Sequence, residues 1–93
     1  MEIYDGICIL KPNLSLENIQ TILDGINYIF SRRDCELVRL ENWGMKSLVY
    51  EIEGFTVGRY IKFIANADRE AVAEFDVFCI ENDDLLRHIL MKK

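Results

Sequence analysis

The chain has 93 residues, of which 51% are hydrophobic and 29% charged, enough to bury one core and too few for a second folding unit. A single proline and five glycines exclude collagen-like and low-complexity architectures. Lys and Arg number 11 against 16 Asp and Glu, a net charge of −5, which makes a poor solitary ligand for nucleic acid or anionic membranes.

Cys8, Cys35 and Cys79 are odd in number, widely spaced and never form Cys-x-x-Cys. That spacing argues against a disulfide framework or zinc module and favours a reducing, cytosolic compartment. The longest apolar runs, such as Ile7–Leu10 and Val77–Ile80, fall far short of the roughly 20 residues a membrane helix needs. The start, Met1 to Asp5, is acidic and lacks the basic and apolar regions of a signal peptide.

Ile3 to Leu10 has the pattern of a strand, closed by Lys11-Pro12-Asn13. Alternation sends Ile3, Ile7 and Ile9 one way and Tyr4, Cys8 and Leu10 the other. Both sets are apolar, so this strand is central with both faces covered, or it keeps one face for a partner. Ser15 then offers a helix N-cap, and Glu17 places negative charge in the first turn. Ile19, Ile22, Leu23, Ile26, Ile29 and Phe30 follow at three- and four-residue spacing and form one apolar stripe. Arg32 and Arg33 are expected at that helix's C-terminal end, where the dipole favours positive charge.

Glu36 to Glu41 alternates as a strand, Asn42 to Lys46 interrupts it, and Ser47 to Ile52 resumes it. Gly44 would allow a bulge or kink there. Glu53 to Thr56 carries a turn signal, and Val57 to Ala65 is the next strand. Its Ile61, Phe63 and Ala65 suit a core face, with Tyr60, Lys62 and Ile64 opposite. Asp68 caps a second helix, whose stripe of Val72, Phe75 and Cys79 is widened by Ala71 and Phe78. Glu81 to Asp84 is a turn, and Leu85 to Met91 is the last strand.

The order is β-α-β-β-α-β within one domain spanning residues 1–93. Two right-handed crossovers in that order predict an α+β, ferredoxin-like sandwich, a four-stranded antiparallel sheet with both helices on one face. The first and third strands are then central. Ile3, Ile7, Ile9, Tyr60 and Ile64 would lie on the open face, too much apolar surface to leave entirely in water.

Candidate chemistry is sparse. His88 follows Asp84, Asp83 and Glu81, but acids in a turn do not enforce a closed ligand set, and a solvated turn is the favoured reading. Cys35 follows two arginines without a histidine partner, while Cys8 and Cys79 fit apolar stripes as small core residues. No glycine-rich phosphate loop occurs. The open sheet face admits RNA binding of the RRM kind, yet Gly58-Arg59-Tyr60-Ile61-Lys62-Phe63 lacks that module's Gly-Phe-x-Phe core. Packing against a protein partner suits Tyr60 better.

Leu40-Glu41-Asn42-Trp43-Gly44-Met45-Lys46-Ser47-Leu48-Val49-Tyr50-Glu51-Ile52 resembles the central segment of the bacterial 30S ribosomal protein S-six (S6) family. Leu10 to Leu14 is similar to that family's first turn, and Asn82 to His88 to the start of its last strand. This chain departs from the family pattern at Val49, Glu51, Glu53 and Glu81. The resemblance implies a ferredoxin-like fold, no catalysis, no cofactor, no metal, and a structural role in the small ribosomal subunit. It also implies pairing with ribosomal protein S-eighteen (S18) and joint binding of the central domain of 16S ribosomal RNA, with neither membrane nor DNA as partner. Lys46, Arg39, Arg87 and Arg59 are the expected polar RNA contacts, with Trp43 a candidate for stacking. Ile3, Ile7, Tyr60 and Ile64 are the expected surface for the protein partner. The alternatives are a regulatory or small-ligand module dimerising through its sheet, and an acylphosphatase-like enzyme. The first would show a pocket of converging polar groups. The second would need a glycine-rich first loop, which Lys11-Pro12-Asn13-Leu14 does not provide.

Overall fold

The computed structural model describes residues 1–32 and 34–93. Its elements are β1 (Glu2–Leu10), α1 (Leu16–Phe30), β2 (Glu36–Ile52), β3 (Phe55–Ala67), α2 (Arg69–Glu81) and β4 (Leu85–Lys92). All strand pairs are antiparallel, in the order β2-β3-β1-β4, so the first and third strands are central as the crossovers require. The fold is ferredoxin-like.

Both helices start where the sequence caps them. Ser15 Oγ accepts the Asn18 N–H at 3.1 Å, and Asp68 Oδ1 accepts the Ala71 N–H at 2.9 Å. The stripe of α1 is buried at Ile19, Ile22, Ile26, Ile29 and Phe30, and that of α2 at Ala71, Phe75 and Cys79. Both stripes meet Cys8 and Leu10 of β1 and Ile61, Phe63 and Ala65 of β3 in one cluster. Three phenylalanines tie the layers together. Phe63 lies 5.3 Å from Phe30 and 5.2 Å from Phe75, ring centre to ring centre, and Phe30 lies 5.5 Å from Phe75. These are tilted and edge-on pairs, the favourable arrangements for aromatic rings.

Helix α1 stops at Phe30, with Ser31 as its C-cap, so no basic residue lies in its last turn. Arg32 therefore does not complement the dipole as expected. It pairs with Glu74 of α2, and its guanidinium carbon sits 5.1 Å from the centre of the Tyr28 ring. Arg33, expected beside it, lies outside the described residues.

The expected break at Asn42–Lys46 is absent, and β2 runs unbroken for 17 residues. The register with β3 instead shifts between Asn42 and Gly44, leaving Trp43 as the extra residue of a bulge. Gly44 takes φ +80°, the left-handed conformation that glycine adopts without a Cβ penalty, and its N–H donates to Asn42 Oδ1 at 2.9 Å. Pairing with β3 overrides the weak strand preference of Asn42 and Gly44. A larger irregularity follows, because Leu48 to Glu51 oppose Thr56 alone. Glu53 and Gly54, at φ +49° and +85°, then form a two-residue hairpin turn, so β3 begins at Phe55 rather than Val57.

That irregularity changes the open face. A Cβ at Gly58 would come within 2.6 Å of Ile9 Cγ2 and 3.5 Å of Leu48 Cδ2, so both side chains close over a strand that must be glycine there. Ile9 is consequently buried, not open as alternation alone suggested. The chain covers one end of its own apolar face.

Candidate interface on the open sheet face

The register decides which residues share the open face. Cys8, Leu10, Ile61, Phe63 and Ala65 are buried under the helices, so their alternates face outward. On β2 and β3 the outward pairs are Arg39 with Ile64, Glu41 with Lys62, Gly44 with Tyr60, and Lys46 with Gly58. On β1 and β4 they are Asp5 with Met91, Ile7 with Ile89, and Ile9 with Arg87. Ile3, Ile7, Tyr60 and Ile64 thus form a band across the two central strands, extended by exposed Ile89 and Met91 of β4. Lys62 stands within this band, tied to Asp5 at 3.3 Å, so its charge is locally compensated.

Cations flank the band. Arg39 and Lys46 line the β2 edge, and Arg87 the β4 edge. The bulge brings Trp43 beside Lys46, whose Nζ lies 5.9 Å from the ring centre, within cation–π reach. Trp43 Nε1 donates to Glu41 Oε1 at 3.2 Å, and the ring is 48% exposed. It stands at the rim of the sheet and does not cap the core.

Arg59 is not part of this group. It pairs with Leu10 and Met45 on the helix-side alternation, and its Nη1 donates to Asn42 Oδ1 at 3.5 Å. Negative charge is concentrated on the other side of the sheet, where α1 and α2 carry Glu17, Asp24, Glu70, Glu74, Asp76 and Glu81. A polyanion approaching the open face therefore meets cations at both edges of the sheet, while the six helix carboxylates lie behind it.

A model of the ribosomal protein S6 family matches residues 3–92. The chain belongs to that family. It is also 32% identical, over its whole length and 99% of the relative, to the small ribosomal subunit protein bS6 of Desulforudis audaxviator. Among solved structures, 30S ribosomal protein S6 from Thermotoga maritima shares the fold at a TM-score of 0.90 with 22% identity. That match covers 99% of this chain and 87% of the other. The S6 family is one of bacterial small-subunit ribosomal proteins.

The residues with conceivable chemistry take structural places in this S6 fold. His88 does not converge on Asp83 or Asp84. Its Nε2 shares a 2.7 Å hydrogen bond with Asp76 of α2, and its ring packs edge-on to Phe75 with centres 5.8 Å apart. Among the described residues no three His, Cys, Asp or Glu side chains gather as a metal site. Cys8 and Cys79 are buried in the core, and the hydrogen bond that the Cys8 thiol donates to Cys79, then burial, push the Cys8 thiol far above its usual range. Such a thiol stays protonated and unreactive.

A cleft of about 400 Å³ opens between the hairpin tip and the α2–β4 turn. Lys11, Glu53, Asp83 and Arg87 line it with charges of both signs. A smaller groove of about 120 Å³ lies beside the Leu48–Glu51 irregularity of β2, where Tyr50 stands 77% exposed. Sequence reasoning missed Tyr50. Its place is set by the register, which leaves Leu48 to Glu51 opposite Thr56 alone.

Proposed function

We propose that this S6-family chain is a structural constituent of the small ribosomal subunit that binds the central domain of 16S ribosomal RNA jointly with ribosomal protein S18. The observation that supports this reading most is the division of the sheet. One side is sealed by two acidic helices, while the other presents an apolar band with Arg39, Lys46 and Arg87 at its edges. Ile3, Ile7, Tyr60 and Ile64 suit a protein partner, since desolvating them is favourable and the charge within the band, Lys62, is already paired with Asp5. Lys46 and Arg39, with Trp43 between their positions along β2, suit phosphate and base contacts at the β2 rim; Arg87 suits the same role at the β4 rim. Arg59 contributes from the reverse side of the sheet if RNA wraps that end.

An acidic chain gains RNA affinity most readily when a basic partner neutralises much of the phosphate charge. The division of labour follows: the partner supplies charge, and this chain supplies a rigid, shaped platform. Nothing in this role calls for a reaction step or a cofactor. Tagged chain expressed in bacterial cells should sediment with small subunits and remain with them through a high-salt wash. Recovery only in the unbound fraction would refute the reading and favour the small-ligand module.

A further inference from the structure

We propose that the groove beside the Leu48–Glu51 irregularity of β2 receives a single unstacked RNA base, with Tyr50 as its stacking platform and Arg87 beside its phosphate. This rests on the rRNA-binding reading above and adds a site to it.

The groove is lined by Ile9, Leu48, Val49 and Ile52, and completed by Tyr50, Tyr60 and Arg87. Leu48 explains itself, because it covers Ile9 over Gly58. Tyr50 does not, since folding buries little of its ring. Four residues, Leu48 to Glu51, stand opposite Thr56 alone, and this excursion of the backbone sets the Tyr50 ring at the groove. Val49, beside Tyr50 on the same excursion, also borders the groove and is 87% exposed, so the fold gives it no cover either. A segment that departs from the ladder to hold an aromatic ring in water at an apolar groove is suited to a planar ligand.

The chemistry favours a nucleotide over a protein side chain. Proteins that recognise unpaired RNA bases stack them on aromatic rings or arginine planes, and two tyrosines and one arginine border this groove. Among the described residues Arg87 forms no ion pair, so its guanidinium is free for an anion. The neighbouring polar cleft, which shares Arg87, also contains Glu53 and Asp83. Those carboxylates repel further phosphates on that side. The geometry therefore suits one base turned out of a bulge or junction, with one flanking phosphate, and not the path of a continuous strand.

The test uses the full chain, purified S18 and a 16S central-domain fragment. Tyr50→Ala should weaken binding of the fragment by the protein pair about fivefold or more, the usual effect of losing one stacked base. Tyr50→Phe, which keeps the ring, should bind as the unsubstituted chain does. Pairing with S18 in the absence of RNA should be unchanged in both. Tyr50→Ala binding RNA normally, while Lys46→Ala weakens it, would overturn the base site and leave the rRNA reading standing. Loss of S18 pairing in Tyr50→Ala would assign the groove to protein and overturn the proposal as well. Failure of the unsubstituted pair to bind the fragment would remove the rRNA reading itself.

Discussion

The two faces of the sheet are made by alternate residues of the same strands, yet they have opposite fates. In β1, Cys8 and Leu10 are sealed under α1 and α2, whereas Ile3 and Ile7, one to seven positions away, remain on the uncovered side. In β3, Phe63 and Ala65 are buried while Tyr60 and Ile64 are only half covered. Composition does not separate the faces, because both are largely apolar. What separates them is whether the chain supplies its own cover. The helices complete one face, and on the other Leu48 covers only the Ile9 end. A face left apolar but bordered by cations is suited to completion by other molecules.

Substitutions on the two faces should therefore fail in different ways. The largest effect belongs to the sealed side. Ile26 is fully buried against the phenylalanine cluster, and Ile26→Ala should lose about 2–5 kcal/mol of stability in chemical denaturation. A loss below about half a kcal/mol would mean that the α1 stripe is not a tightly packed part of the core.

On the open side the sign of the comparison reverses. Tyr60→Ala should weaken association with S18 by about 2 kcal/mol, as a buried aromatic anchor does, while costing folding less than that. Unchanged affinity in a calorimetric titration would move the protein interface away from the central strands, to the β2 or β4 edge.

A smaller effect sharpens the contrast by leaving the faces alone. Ser15→Ala removes the acceptor of the Asn18 N–H at the start of α1 and should cost about 1 kcal/mol. Because Ser15 lies behind the sheet, S18 pairing should not change. If pairing weakened as much as folding did, the helices and the interface would be one coupled unit and not two separable sides.

Much of this was legible in the sequence because it depends on local periodicity. The alternation of Ile3, Ile7 and Ile9 with Cys8 and Leu10 marked two faces, the three- and four-residue spacing of α1 marked its stripe, and Ser15 and Asp68 marked both helix starts. The misses share a different cause. Asn42 and Gly44 look like a break, but pairing with β3 carries β2 through them. Ile9 looks open, yet Leu48 reaches it only because four residues oppose one, an excursion that leaves no periodic trace. His88 was expected in a solvated turn entering the last strand, and β4 instead turns it toward Asp76, twelve positions back on α2. Arg59 was grouped with Lys46 by residue type, although the register sets it on the reverse side. Such features are fixed by long-range register, which a single sequence does not state.

The most direct test of the account measures binding of the 16S central-domain fragment across a salt series, with and without S18. At a net charge of −5 the isolated chain should bind weakly at physiological ionic strength, and S18 should make binding tight. In the ternary complex Lys46→Ala should lower the slope of log affinity against log salt by about one, with similar weakening across related RNAs. An unchanged slope would remove only Lys46 from the interface. Tight binding by the isolated chain, indifferent to S18, would contradict the claim that the open face works only when a basic partner completes it.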